Sequence, residues 1–215
     1  CTPWDSCSVD VLEEIGVPAY KVASADLTNL PLIKYISKTK KPMFLSTGMS
    51  TLEEISYTTQ YLNNLYSEFV LLHCNSTYPA PIDDINLKFI HALKNIHSNI
   101  GYSGHERGIN ITLAASAMDI CLIERHFTTD RSLEGPDHAA SLTPNEFKNM
   151  VESVREIERS IGNGIRTMSQ GEMINRENLS KSLVASRDLD KGKILTIEDI
   201  KVRSPGQGLS LIHIS

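Results

Sequence analysis

No stretch of this sequence approaches eighteen consecutive apolar residues, and no basic segment followed by an apolar run stands at its start. A membrane span and a secretion signal are therefore not expected, and the cytoplasm is the default compartment. No C-x-x-C pair occurs among Cys1, Cys7, Cys74 and Cys121. That argues against a zinc ribbon or a disulfide framework and leaves buried free thiols as the expectation. Positive charge is short: 21 Lys and Arg face 26 Asp and Glu, for a net charge of -5. A nucleic-acid groove wants concentrated Lys and Arg, so none is expected, and an anionic ligand would need local positive partners. No G-x-G-x-x-G follows any apolar run, which removes the phosphate loop of a dinucleotide fold. Internal repeats and low-complexity tracts are absent too.

What is present is alternation. With 40% hydrophobic and 22% charged residues in 215, the chain can bury one sizeable core, or one domain and part of another. Short β-rich runs at 19–24, 41–48, 69–78, 99–104 and 119–127 alternate with segments of helical spacing. Ser50 followed by Glu53 reads as a capping box opening a helix, and residues 86–96 and 108–118 fill the next gaps. Thr143 as cap, Pro144 at the first helical position, and Phe147, Val151, Val154 and Ile157 on one face predict another helix. Strand and helix in this rhythm mean a parallel α/β sheet. All five runs turn polar at their carboxyl ends, in "KVAS", "LSTG", "HCNSTYP", "YSGH" and "ERHF". A barrel gathers every such end around one mouth, whereas an open sheet concentrates them at one switch point, so the barrel is favoured. Past residue 165 the polar, aperiodic "SQGEMINRENLSKS" reads as a linker at 166–178. Two short strands around an Asp/Lys/Gly turn then suggest a small second domain.

His105 and His126 fall at or just beyond the ends of neighbouring predicted strands, where paired imidazoles can share a divalent cation. Taken singly, such a histidine is more often a polar surface or hydrogen-bonded residue. Lys21 and Ser24, Ser46 and Thr47, Ser76 and Tyr78, and Ser103 supply a lysine and hydroxyls suited to a small phosphate or carboxylate. Serines also cluster wherever strands become loops. Asp26, Glu124 and Asp137 lie near the same rim, as acceptors for a polyhydroxylated ligand or as acid or base, with a Glu124 salt bridge to Arg125 or Arg131 as the plainer reading.

The segments "TPWD", "AYKVAS", "LSTGM", "HCNSTYP", "IGYSGHERGI", "ERHFTTDR", "EGPDHAAS" and "KSLVAS", in that order, resemble the sialic acid synthase family from residue 1 to about 210. That resemblance implies a (β/α)8 TIM barrel followed by a small antifreeze-like (SAF) domain: a partial barrel at 1–165, the linker at 166–178, a truncated SAF domain at 179–210 and a tail at 211–215. It implies condensation of phosphoenolpyruvate with N-acetylmannosamine or a related N-acyl amino sugar to a nine-carbon 2-keto acid, with release of phosphate. Lys21, Ser24, Ser46, Ser76 and Ser103 would hold phosphoenolpyruvate. Tyr78, Glu124 and Asp137 would bind the sugar, and Asp26 would lie near the reacting carbons, where many members have glutamate. His105 and His126 would ligate Mn2+ or Mg2+, and Arg125 would pair with rim carboxylates. It implies, too, a domain-swapped homodimer, the arrangement typical of members.

The chain also departs from the family's pattern. It begins where the family's third barrel strand ends, so the expectation is that these 215 residues alone are unstable or inactive. "RSPG" stands where members have "KRPG", putting Ser204 in the arginine column and Arg203 one place earlier, and "LSLIHIS" leaves the family pattern. Two other classes remain open: an aldolase using Lys21 as a Schiff base, and a non-enzymatic binding module.

Overall fold

The computed structural model describes residues 1–65, 67–204 and 208–212. The chain divides into two compact units, Cys1–Gly162 and Asn163–Ser215. In the first, five strands, β1 (Tyr20–Val22), β2 (Met43–Ser46), β3 (Phe69–Cys74), β4 (Ile100–Gly104) and β5 (Leu122–Arg125), form one sheet in the order β1-β2-β3-β4-β5, every pairing parallel. The order follows the sequence without reversal, as in a barrel wall rather than a doubly wound sheet. Among the described residues six α-helices accompany it: α1 (Ser6–Ile15), α2 (Leu30–Ser37), α3 (Leu52–Asn64), α4 (Phe89–Lys94), α5 (Asn110–Ser116) and α6 (Pro144–Ile161).

Side-chain alternation along these strands decides what the sheet does on each face. Tyr20, Val22, Met43, Leu45, Phe69, Leu71, Ile100 and Tyr102, every second residue, join one buried cluster with Leu32, Ile33 and Ile36 of α2, Ile55 and Leu62 of α3, and Ile90 and Leu93 of α4. Each fully buried aliphatic side chain contributes about 1.5–3 kcal/mol, so this face fixes the register. A slip of one residue would drive Lys21 into the helix layer. The opposite face then necessarily carries the odd-phase residues, Lys21, Ser46, Cys74, Ser103 and Glu124, one from each strand.

Local chemistry explains the helix ends. The capping box of α3 is built from Thr51 and Glu54 rather than Ser50 and Glu53: Glu54 N–H donates to Thr51 Oγ1 at 3.3 Å and Thr51 N–H to Glu54 Oε2 at 2.8 Å. Ile55, Thr58, Thr59 and Leu62 form its buried side. Thr143 and Glu146 cap α6, with Pro144 leading. Its apolar face is only partly covered: Met150 is buried, whereas Val151 is exposed. Among the cysteines only Cys74 is buried. Cys1, Cys7 and Cys121 are exposed, against the expectation of four buried thiols.

The second unit carries a helix where a linker is predicted. Ser169 and Glu172 form a capping box that opens α7 (Gln170–Leu179). Beyond it lies a three-stranded antiparallel sheet, β6 (Ser182–Ala185), β7 (Ile200–Arg203) and β8 (Leu209–Ser210), in the order β7-β6-β8, one strand more than the sequence suggests. Asp199 is its anchor. Fully buried, it accepts from Arg187 Nη2 at 2.8 Å, Lys193 Nζ at 2.5 Å and Thr196 N–H at 3.1 Å. Ser204 accepts from Lys181 Nζ at 2.8 Å and donates to the Leu179 carbonyl at 3.3 Å. The Pro and Gly of "RSPG" and the last three residues of the tail, including His213, lie outside the described residues.

Candidate active site

The odd-phase face brings most of the predicted residues to one mouth. Ser103 pairs in register with Cys74 on one side and Glu124 on the other, and its hydroxyl donates to Glu124 Oε2 at 2.5 Å. That bond leaves the other carboxylate oxygen to accept from a ligand. Lys21 is half-buried on β1 and donates to the Val22 carbonyl at 3.2 Å. Burial pulls its pKa below the ordinary lysine value, against the opposing charge of Glu124.

His105 and His126 follow β4 and β5 directly and keep the inward phase. Their ring centroids lie 5.0 Å apart at an interplanar angle of 78°, close enough for both rings to border one ion. His105 Nδ1 lies 2.6 Å from the Asn75 carbonyl. A carbonyl can only accept, so Nδ1 carries the proton and Nε2 keeps its lone pair. Tyr78 covers both rings, with centroids 4.1 Å from His105 and 5.4 Å from His126. Burial raises its hydroxyl pKa to about 12, with the nearby charges of Cys74, Asp137 and Glu124 adding to it. Asp137 Oδ2 stands 3.6 Å from His126 Nδ1, ion-pair range but longer than a hydrogen bond. Burial lowers the His126 pKa and the His105 charge adds to that, while Glu124 and Asp137 oppose. Among the described residues no group of three or more His, Cys, Asp or Glu is placed to hold a metal ion. Two imidazoles fit as a pair of neutral donors, with the remaining coordination positions left to substrate and water.

Beside the histidines lies a hydroxyl cradle. Ser24 Oγ is 3.6 Å and Ser76 Oγ 3.8 Å from Cys74 Sγ. Both hydroxyls close over Gly48: a Cβ there would stand 2.1 Å from Ser76 Oγ and 2.8 Å from Ser24 Oγ. Only a glycine admits that approach. Ser46 Oγ is buried with no partner among the described residues, as a hydroxyl reserved for a ligand would be.

Two predicted residues sit differently. Asp26 is drawn toward the start of α2, where its Oδ1 accepts from Asn29 Nδ2 at 2.8 Å while Asn29 caps the helix, although its Oδ2 is buried with no partner among the described residues. Arg125 does not pair with rim carboxylates or with Glu124. Its phase on β5 is even, so it points into the helix layer and meets Glu106 there at 2.9 Å. Arg131 pairs with Glu146 at 2.6 Å instead of Glu124.

Cys74 is a site residue that sequence reasoning passes over. Its Sγ lies 3.7 Å from His105 Nδ1. Burial alone would raise the thiol pKa, but His105 and the surrounding hydroxyls pull it down. Burial likewise opposes the charged form of His105, yet Cys74, the Asn75 carbonyl and the charge of Glu124 together outweigh it and the ring pKa is raised. Its sequence signal was its odd phase, four residues before Tyr78 in "HCNSTYP".

The comparisons agree with this geometry. The NeuB family profile matches residues 1–166, and the SAF domain profile matches residues 180–215. An N,N'-diacetyllegionaminic acid synthase of Campylobacter jejuni is 42% identical over 99% of this chain and 65% of its own length. The human N-acetylneuraminate-9-phosphate synthase is 38% identical over 93% of this chain and 56% of its own. A crystal structure of the N-acetylneuraminic acid (sialic acid) synthetase from Leptospira borgpetersenii superposes with a TM-score of 0.75 at 35% identity, covering 81% of this chain and 61% of that one. The chain thus spans just under two thirds of the length of the Campylobacter synthase. No helix among the described residues is long and apolar enough to cross a membrane. A sheet ordered like a barrel wall, a separate small antiparallel unit and a profile match over most of the sequence converge: this chain belongs to the NeuB family, a TIM-barrel-like half-barrel of parallel strands followed by a SAF domain.

Proposed function

We propose that the protein carrying this chain condenses phosphoenolpyruvate with an N-acyl amino sugar to a 2-keto acid and releases phosphate. The observation that supports it most is the juxtaposition, on one sheet face, of two edge-on imidazoles, a half-buried lysine and a glycine-floored hydroxyl cradle. Lys21 and the Ser24 and Ser76 hydroxyls hold the anionic groups of the enol phosphate, in a chain whose net charge would otherwise repel them. Glu124, steadied by Ser103, accepts hydroxyls of the sugar, and Tyr78 and Asp137 close the other side of that pocket. With both substrates so oriented, C3 of phosphoenolpyruvate forms a bond to the open-chain aldehyde carbon. Water adds at C2, and the C2–O bond to phosphate breaks. A divalent manganese or magnesium ion held by His105 and His126 supplies Lewis-acid polarisation of the aldehyde when bound. His105 Nε2 is free for that role because Asn75 fixes the proton on Nδ1.

The test is phosphate release from phosphoenolpyruvate plus N-acetylmannosamine, or a diacetylated amino sugar, by a version completed to the length of the relatives. Release that needs a divalent ion, and that collapses in His105→Ala and His126→Ala, supports the reading. Release unaffected by either substitution contradicts it.

A further inference from the structure

Immediately behind the two histidines lies a buried charge pair to which nothing above gives a role. Arg125 and Glu106 have side chains 0% and 1% exposed. Arg125 Nη1 donates to Glu106 Oε1 at 2.9 Å, to Thr112 Oγ1 at 2.6 Å and to the Gly108 carbonyl at 2.9 Å, and Nη2 donates to the Glu106 carbonyl at 2.6 Å. Glu106 also accepts from Tyr102 at 2.9 Å and from Thr112 at 2.8 Å. Gly104 makes room for this network: a Cβ there would lie 2.7 Å from Glu106 Oε2 and 2.9 Å from Arg125 Cδ.

Its place in the chain gives the network its meaning. Glu106 is the residue after His105 and Arg125 is the residue before His126, and the last ladder pair of β4 and β5 is Gly104 with Arg125. Beyond that pair the sheet no longer holds the two chains together. The guanidinium takes over, binding the Glu106 side chain and the Glu106 carbonyl at once, and so ties the peptide that carries one imidazole to the strand that carries the other. Stability alone is a poor reason for a buried ion pair, since an apolar pair of similar volume serves as well or better. A fixed spacing between two flanking side chains is a better one.

We infer that Glu106 and Arg125 are positioning residues that set the separation of the His105 and His126 rings, and through it the affinity of the mouth for a divalent cation. The inference rests on the reading of that mouth as a metal site. It is tested on the version completed to the length of the relatives, with Mn2+ alone, free ion being measured by electron paramagnetic resonance alongside the thermal melt. Arg125→Lys keeps the charge but loses the fork, and should weaken Mn2+ binding by about tenfold or more. Thr112→Val trims the network without unpairing either charge, should weaken binding severalfold, and decides the matter should Arg125→Lys fail to fold. Leu62→Ala, a core deletion away from the mouth, should lower the melt and leave Mn2+ affinity as in wild type. Unchanged affinity in both network variants overturns the inference alone. A wild-type chain that binds no Mn2+, or binds it equally after His105→Ala, overturns the metal reading and the inference with it.

Discussion

Gly48→Ala is the sharpest probe of the hydroxyl cradle. The added Cβ would lie 2.1 Å from Ser76 Oγ, 2.8 Å from Ser24 Oγ and 3.1 Å from Ser76 Cβ. The first contact is about 1.4 Å short of a relaxed separation of ~3.5 Å, more than small adjustments absorb. Ser76 Oγ is the free end of a short side chain, so rotation of that side chain is the cheapest escape, at roughly 0.5–1.5 kcal/mol if it leaves its rotamer. Overpacking of the remaining contacts brings the expected loss of stability to about 1–3 kcal/mol, and the melt falls by about 2–4 °C for each of those kcal/mol. The effect on the ligand is larger. A hydrogen bond to a charged group is worth about 1.5–3 kcal/mol, so displacing one hydroxyl from phosphoenolpyruvate weakens binding by about 10- to 150-fold at 1.4 kcal/mol per factor of ten. Isothermal titration with phosphoenolpyruvate, run with thermal melts on Gly48→Ala, Ser76→Ala and the double variant, reads both quantities. Removing the Ser76 hydroxyl also removes the shortest of these contacts, so the double variant should melt higher than the two single losses added together predict. Wild-type affinity in Gly48→Ala would show that the cradle is not where the anion binds, and strict additivity of the melts would show that the added Cβ does not meet Ser76.

The other predictions concern separate parts of the molecule. Lys21 has its pKa depressed by burial from the ordinary 10.5, so phosphoenolpyruvate affinity should begin to fall below that pH as the ammonium deprotonates, and Lys21→Met should bind weakly with no such alkaline limb. Borohydride with a keto-acid substrate should leave no adduct on Lys21, and a trapped adduct would favour a Schiff-base aldolase. In the second unit, hydrogen bonds from Lys193 and Arg187, with Thr196 adding, hold the Asp199 pKa far below its ordinary 3.8. A depressed carboxylate contributes stability that is complete above the unfolded value and is lost as pH falls toward the folded one. Melts of the wild type should therefore drop below about pH 4, and Asp199→Asn should lower the melt at neutral pH and flatten that dependence. In the first unit Leu45, fully buried on the helix-facing side of β2, should cost about 2–5 kcal/mol when cut to alanine, as read by chemical denaturation.

Much of this was legible in sequence because period-two alternation and polar strand ends are local signals. Each predicted β-run contains a strand, though the strands are shorter than the runs, since "HCNSTYP" leaves the ladder after Cys74 and "ERHF" after Arg125. Helices α1 and α2 escaped notice. Cys7, Val11 and Ile15 of α1 remain exposed, so its apolar residues do not trace a clean buried stripe. Helix α7 was hidden for a related reason, because Met173, Ile174 and Leu179 stay exposed and leave a polar, aperiodic text held by its capping box. The Arg125 error was one of phase. Counting alternation from Glu124 inward would have sent the arginine to the helix layer, but its carboxylate partner stands nineteen residues earlier and carries no motif of its own. Cys74 resembled any buried thiol until the fold brought His105 beside it.

The most direct measurement is anomalous scattering from a manganese-soaked crystal of the protein with phosphoenolpyruvate. The account predicts one peak within bonding distance of both the His105 and His126 rings, with the enol phosphate seated against Lys21, Ser24 and Ser76. A peak away from either imidazole, or a ligand bound elsewhere on the sheet, would contradict it.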